Sequence, residues 1–180
     1  MKPWLRRNWI GLVAVAVLLP ATVGITFATE WTQYFGGRAS APVTVDAGDT
    51  AEFAQARWSV DSTQRISASS AEGEKIGLPA GSDLVVVTVR VSPAGDAEPP
   101  GCQVQLEEFD GGSVSRSWDD AATDPIDYDP SEGTASICPT DAVAPYVLES
   151  TFVVASDASD DLALAVTVPS ELPRYLSFRL

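Results

Sequence analysis

Six carboxylates crowd one stretch of this chain: Asp119, Asp120, Asp124, Asp127, Asp129 and Glu132. Hard oxygen ligands at alternating loop positions suit Ca²⁺, and Asp124, Asp127, Asp129 and Glu132 are the set that could supply them. The run from Asp124 to Glu132 lacks the D-x-D-x-D-G spacing of an EF-hand loop, and Pro125 and Pro130 restrict how it can wrap an ion. The competing expectation is a solvated acidic surface that repels anions and keeps the protein soluble. Trp118 stands beside the cluster, as an exposed binding residue or as a cap on the core. On the first alternative, Trp118, Asp119 and Asp120 form a partner contact. Asp157, Asp160 and Asp161 make a second acidic turn, also expected to be solvated surface.

Other chemistry lacks its residues. The chain has no His, which removes Ser-His-Asp and Cys-His arrangements and every imidazole metal site. Neither a phosphate-cradling GxxxxGK[ST] nor a GxGxxG after a strand is present. Lys75 is the only lysine past the N-terminal region, and Gly73-Glu74-Lys75-Ile76 reads as an exposed turn rather than a desolvated amine. A carboxylate pair of the glycosidase kind is conceivable, but among 25 acids some pair meets that spacing by chance. No catalytic residue and no cofactor is assigned.

Cys102 and Cys138 are the only cysteines. Placed outside a membrane, an even count favours a disulfide between them. Closing a loop of about 37 residues would stabilise the fold by roughly 3–4 kcal/mol. Two thiolates without His make an incomplete zinc set.

The elements that must carry these residues begin with an anchor. Trp9 to Ala28 is a run of 20 residues without a charge, about 30 Å of helix, which matches the hydrocarbon core of a bilayer. Trp4 and Trp9 flank one end, and Trp31, Tyr34 and Phe35 the other. Lys2, Arg6 and Arg7 are the only charges before Glu30, so residues 1–8 are expected in the cytoplasm and the rest outside. The competing reading is a cleaved signal peptide with a poor small-x-small site at Thr26-Phe27-Ala28; the apolar run exceeds the usual 7–15-residue core of such peptides. No ionisable group lies within the span, so a proton relay has no residue to carry it.

Residues 29–45 read as a tether, with Gly36-Gly37, Ser40 and Pro42. From 46 to 180 the dominant period is two: Ala54, Ala56, Trp58 and Val60; Val85, Val87, Val89 and Val91; Cys102, Val104 and Leu106. Further apolar runs follow at Tyr146 to Val154, Leu162 to Val168 and Leu176 to Leu180, with turn-forming clusters between them, among them Pro79 to Ser82 and Asp110 to Gly112. No sustained helical stripe appears. The expectation is an all-β fold, an antiparallel immunoglobulin-like β-sandwich after one transmembrane helix, with a closed barrel as the alternative. The stretch from about Ser113 to Ala144 reads as long connections with one or two short strands.

The membrane-anchored start, Trp58-Ser59-Val60, the strand Leu84 to Val91 after Leu78-Pro79-Ala80-Gly81, Cys102 to Leu106, Gly111-Gly112 and Phe152 to Val154 together resemble bacterial extracytoplasmic immunoglobulin-like domains of unknown function. The resemblance covers about residues 48–180, implies the sandwich, and assigns no activity. Ser92-Pro93 and the acidic insertion depart from that pattern. Nine Arg against two Lys, with abundant Ala, Val, Asp and Gly, suggest a high-GC bacterial source.

Charge narrows the partners. After residue 29, eight cations face 25 acids, a formal −17, which repels phosphate backbones and disfavours nucleic acid. The expected function is a binding or protein-interaction module that contacts another membrane or envelope protein. A carboxylate-dependent envelope hydrolase and a Ca²⁺-dependent adhesive or structural domain are the alternatives.

Overall fold

The structure, a computed structural model, describes residues 2–94, 101–121, 126–140, 142 and 144–180. The chain forms two compact units, Met1–Arg38 and Ala39–Leu180.

The first unit is one helix, α1 (Lys2–Gly36), within which Arg6–Thr32 is long and apolar enough to cross a membrane. A stretch of 18 residues within it has a mean hydropathy of 2.3, and the 27 residues extend about 40 Å, longer than a hydrocarbon core of about 30 Å. The hydroxyls of Thr22, Thr29 and Thr32 donate to carbonyls four residues earlier, which pairs these three polar groups within the helix. The helix continues through Pro20 and stops at Gly36 and Gly37, where backbone freedom is greatest.

The tether expected over residues 29–45 is therefore shorter. Its first part is helix to Gly36, and Ala41–Val45 forms a strand, β1. The Ser40 and Ala41 N–H groups both donate to Pro173 O at 3.0 Å. The partner that makes β1 a strand lies far along the chain, so no local pattern marks it.

The second unit contains two sheets. One has the order β1-β9-β8-β5-β6, with β5 at Gln103–Asp110, β6 at Ser113–Asp119, β8 at Leu162–Thr167 and β9 at Arg174–Arg179. The other runs β2-β3-β4-β7, with β2 at Thr50–Phe53, β3 at Ala56–Ser67, β4 at Ser82–Pro93 and β7 at Tyr146–Ala155. Every named pairing is antiparallel except β1 with β9. Both sheets feed one apolar cluster that includes Trp58, Val89 and Phe152 from one side and Leu106, Leu164 and Phe178 from the other. Trp58 is fully buried, and its indole N–H donates to Phe53 O at 2.9 Å.

A second apolar cluster, Ile66, Ile76, Leu78, Leu84 and Val86, covers the opposite face of the β3–β4 pair. Part of its cover is a short helix, α2 (Ala71–Lys75), where a turn was expected. The Ser70 hydroxyl caps it by accepting from Gly73 N–H at 3.0 Å. A Cβ on Gly73 would lie 2.1 Å from Ser67 O, so only glycine lets this helix sit so close to the strand end. Leu84 to Val87 are consequently buried on both faces, whereas the alternation puts only one face of that strand inside.

Two further differences have local causes. The stretch expected as one strand from Ala54 to Val60 opens with the turn of the β2–β3 hairpin, because Ala54 and Gln55 adopt φ of +50° and +58° and reverse the chain, and β3 starts only at Ala56. Such turns usually carry Asn or Gly, so this one has no sequence signal. Within the stretch read as long connections with one or two short strands, Ser113–Asp119 is an edge strand whose polar residues face outward.

Candidate interaction site

The acidic connection between β6 and β7 is a docked strap. At its start Ala121 N–H donates to Thr151 O at 2.6 Å, and Thr151 N–H donates to the Asp120 carboxylate at 3.3 Å. Midway, Ile126 and Tyr128 pack on the second apolar cluster, and Asp127 N–H donates to Ile76 O at 3.0 Å. The Tyr128 hydroxyl and Ser131 N–H both donate to the buried Glu149 carboxylate, at 2.9 and 3.1 Å. Burial, and then Glu149, push the Tyr128 hydroxyl up to about 12. Ala135 pairs with β7 on either side of Leu148, through two backbone bonds of 2.8 Å. Cys138 then joins Cys102 across a Cα–Cα distance of 5.5 Å, within the usual range for a disulfide. The strap thus covers much of the β7 edge, which would otherwise present unpaired backbone groups.

The residues singled out for chemistry separate along this strap. Asp119 is exposed at the end of β6 and accepts from the Gln105 amide at 2.7 Å. Asp120 is half-buried. Trp118 is half-buried against the main core, with the Arg116 guanidinium 5.5 Å from its ring centre. Asp127, Asp129 and Glu132 are exposed, while Asp124 lies outside the described residues. Among the described residues no three acids or thiols gather as metal ligands.

A cleft of about 360 Å³ opens between the strap and the start of β5. Cys102, Cys138, Val104 and Leu148 line it, with Asp119 and Ile137 also on its walls. Ile137 is 73% exposed, the most exposed large apolar side chain described past α1. β5 pairs with β8 from Gln103 onward but with β6 only from Gln105. Gln103 and Val104 therefore have no strand beside them on the β6 side among the described residues. Another cleft, of about 430 Å³, lies at the β2–β3 hairpin around Phe53, Gln55 and Pro93, with Glu52 and Arg57 ion-paired 3.3 Å apart.

The second acidic turn, between β7 and β8, behaves differently. Asp157 meets Arg116 of β6 at 2.8 Å, Asp160 meets Arg65 of β3 at 3.3 Å, and Asp161 meets Arg179 of β9 at 3.0 Å. Arg65 also binds the buried Asp83 at 2.8 Å and Ala158 O at 3.0 Å. Arg116 pairs with the buried Glu108, which also accepts from Ser159 N–H at 2.7 Å. The Arg116 and Ser159 bonds hold the Glu108 carboxyl down at about 2. Arginines from both sheets thus converge on one turn. Nothing in the spacing of Arg65, Glu108 and Arg116 marks them for this role.

Glu107, the neighbour of Glu108, is buried on the other face of β5. Burial raises its carboxyl, the Tyr175 hydroxyl donates to it at 3.5 Å, and its other oxygen has no partner. It lines none of the clefts described above.

No family model matches the chain, and no curated protein or solved structure matches it either.

Proposed function

We propose that this chain is a membrane-anchored interaction module, not an enzyme, whose α1 leaves the N-terminus in the cytoplasm and holds the β unit outside. Its partner is another membrane or envelope protein. The carrying observation is the disposition of the carboxylates. The buried Asp83, Glu108 and Glu149 are occupied by arginine, hydroxyl or backbone donors, while an exposed, disulfide-framed cleft with an apolar rim remains open. Such a surface offers shape and charge to a partner and no reacting group.

An immunoglobulin-like sandwich is the architecture we propose. The strand order β9-β8-β5-β6 corresponds to the G-F-C-C′ sheet of that layout, and β3-β4-β7 to A-B-E, which supports the reading. The disulfide departs from it, since it ties the start of β5 to the strap rather than the two sheets through their central strands.

Photo-crosslinking in intact cells tests the reading. A crosslinking residue is placed in turn at Ile137, Val114, Glu52 and Glu72, each exposed. The expected result is one identified membrane or envelope protein captured from a single face. Labelling of lipid alone from all four positions would overturn it.

A further inference from the structure

Resting on the interaction-module reading, we propose that the cleft between β5 and the strap receives an extended peptide segment of the partner that carries cationic and aliphatic side chains in alternation. Three independent observations define this occupant.

The first is backbone. Among the described residues Gln103 and Val104 have no strand on the β6 side, because β6 ends at Asp119, opposite Gln105. An extended segment entering there continues the sheet past the end of β6, using main-chain hydrogen bonds.

The second is apolar. The disulfide, Val104 and Leu148 line the cleft, and Ile137 stands 73% exposed beside it. At about 360 Å³ the cleft is at the small end of ligand-sized sites, which run from roughly 300 to 1,000 Å³. That suits a few side chains of a strand rather than a globular surface.

The third is charge. Past residue 38 the chain has seven cations, and Arg57, Arg65, Arg90, Arg116, Arg174 and Arg179 each already hold a carboxylate. Among the described residues no cation pairs with Asp119, whose partner is the neutral Gln105 amide. The cleft therefore carries negative charge that the fold leaves unneutralised, and a cationic side chain on the incoming strand supplies the complement. Period-two alternation then directs cations to Asp119 and aliphatic groups to Ile137 and the disulfide.

The full chain in phosphatidylcholine nanodiscs, which lack anionic lipid, is titrated with a short capped peptide alternating arginine and leucine. Saturable binding is expected, with the matching glutamate–leucine peptide inert. The Asp119→Asn/Ile137→Ser variant changes two exposed side chains and should bind about tenfold more weakly or worse. The Asp127→Asn/Glu132→Gln control removes more charge from the same strap and should stay within about twofold. N-methylation of the peptide's pairing edge should weaken binding as much as the cleft variant does. Equal loss in cleft variant and control, indifference to N-methylation, or no saturable binding would each overturn the proposal. Partner capture from Val114, Glu52 or Glu72 but not from Ile137 would also sink the cleft while leaving the interaction-module reading intact.

Discussion

Asp157, Asp160 and Asp161 each end on a guanidinium, whereas Asp119, Asp127, Asp129 and Glu132 meet none among the described residues. Both regions are acidic turns beside β7 with similar composition. In the β7–β8 turn the acids are the outer layer of a network whose inner members, Asp83 and Glu108, are buried. The exposed outer pairs contribute little individually, about 0–1 kcal/mol. Their geometric effect is larger, because Arg65, Arg116 and Arg179 bring β3, β6 and β9 to one point. In the strap the backbone and the apolar side chains dock, and Asp127, Asp129 and Glu132 are left outward. Acidic composition therefore says nothing about use; the distribution of arginines decides it.

The largest way to test this contrast is to release the strap. Cys138→Ser should lower unfolding free energy by about 2–5 kcal/mol in urea titration. Amide exchange should accelerate at Ala135 and Glu149, where the strap pairs with β7, while Ser159 in the β7–β8 turn stays protected. Equal acceleration at both would mean that the two regions open as one unit.

Arg65→Met should be the mirror image. It leaves Asp83 buried without its cation and frees Ala158 O, at a cost of about 2–4 kcal/mol, with exchange accelerated around Ser159 and not at Ala135.

The pH profile separates two neighbouring carboxyls with opposite signs. Glu108 is held at about 2 against an ordinary 4.5, so its contribution is complete above 4.5 and disappears as pH falls from 4.5 toward 2. Glu107 is raised, so the folded state binds its proton more readily, and stability grows as pH falls through its folded value until the unfolded chain is also protonated. Melting temperature should therefore rise slightly on mild acidification and then drop steeply. Glu107→Gln should remove the rise and leave the drop; persistence of the rise would assign it to another group.

The smallest effect is expected in the strap acids themselves. Asp127→Asn with Asp129→Asn should shift stability by no more than about 0.5 kcal/mol. A loss of several times that would show that these carboxylates hold the fold, and the contrast with the β7–β8 turn would collapse.

The apolar run of α1, the existence of β4, β5 and β9 as strands, and the pairing of the only two cysteines are legible in the sequence. Each depends on the period of one segment or on a count, and those are local properties. Several other features are not legible, for physical reasons. β1 exists because β9 lies beside it, and β6 because Trp118 and Arg116 face inward from an otherwise polar edge. The Ala54–Gln55 reversal is imposed by the β2–β3 pairing on residues that do not request it. Trp118 and the six acids could be nominated by type, yet their environments could not. The strap's docking through Ile126, Tyr128 and Glu149, and the convergence of three arginines on one turn, arise from contacts between residues that sequence separates widely. Composition sets how much charge must be placed; only the packing of strap and strands determines which carboxylates are neutralised within the molecule and which face outward.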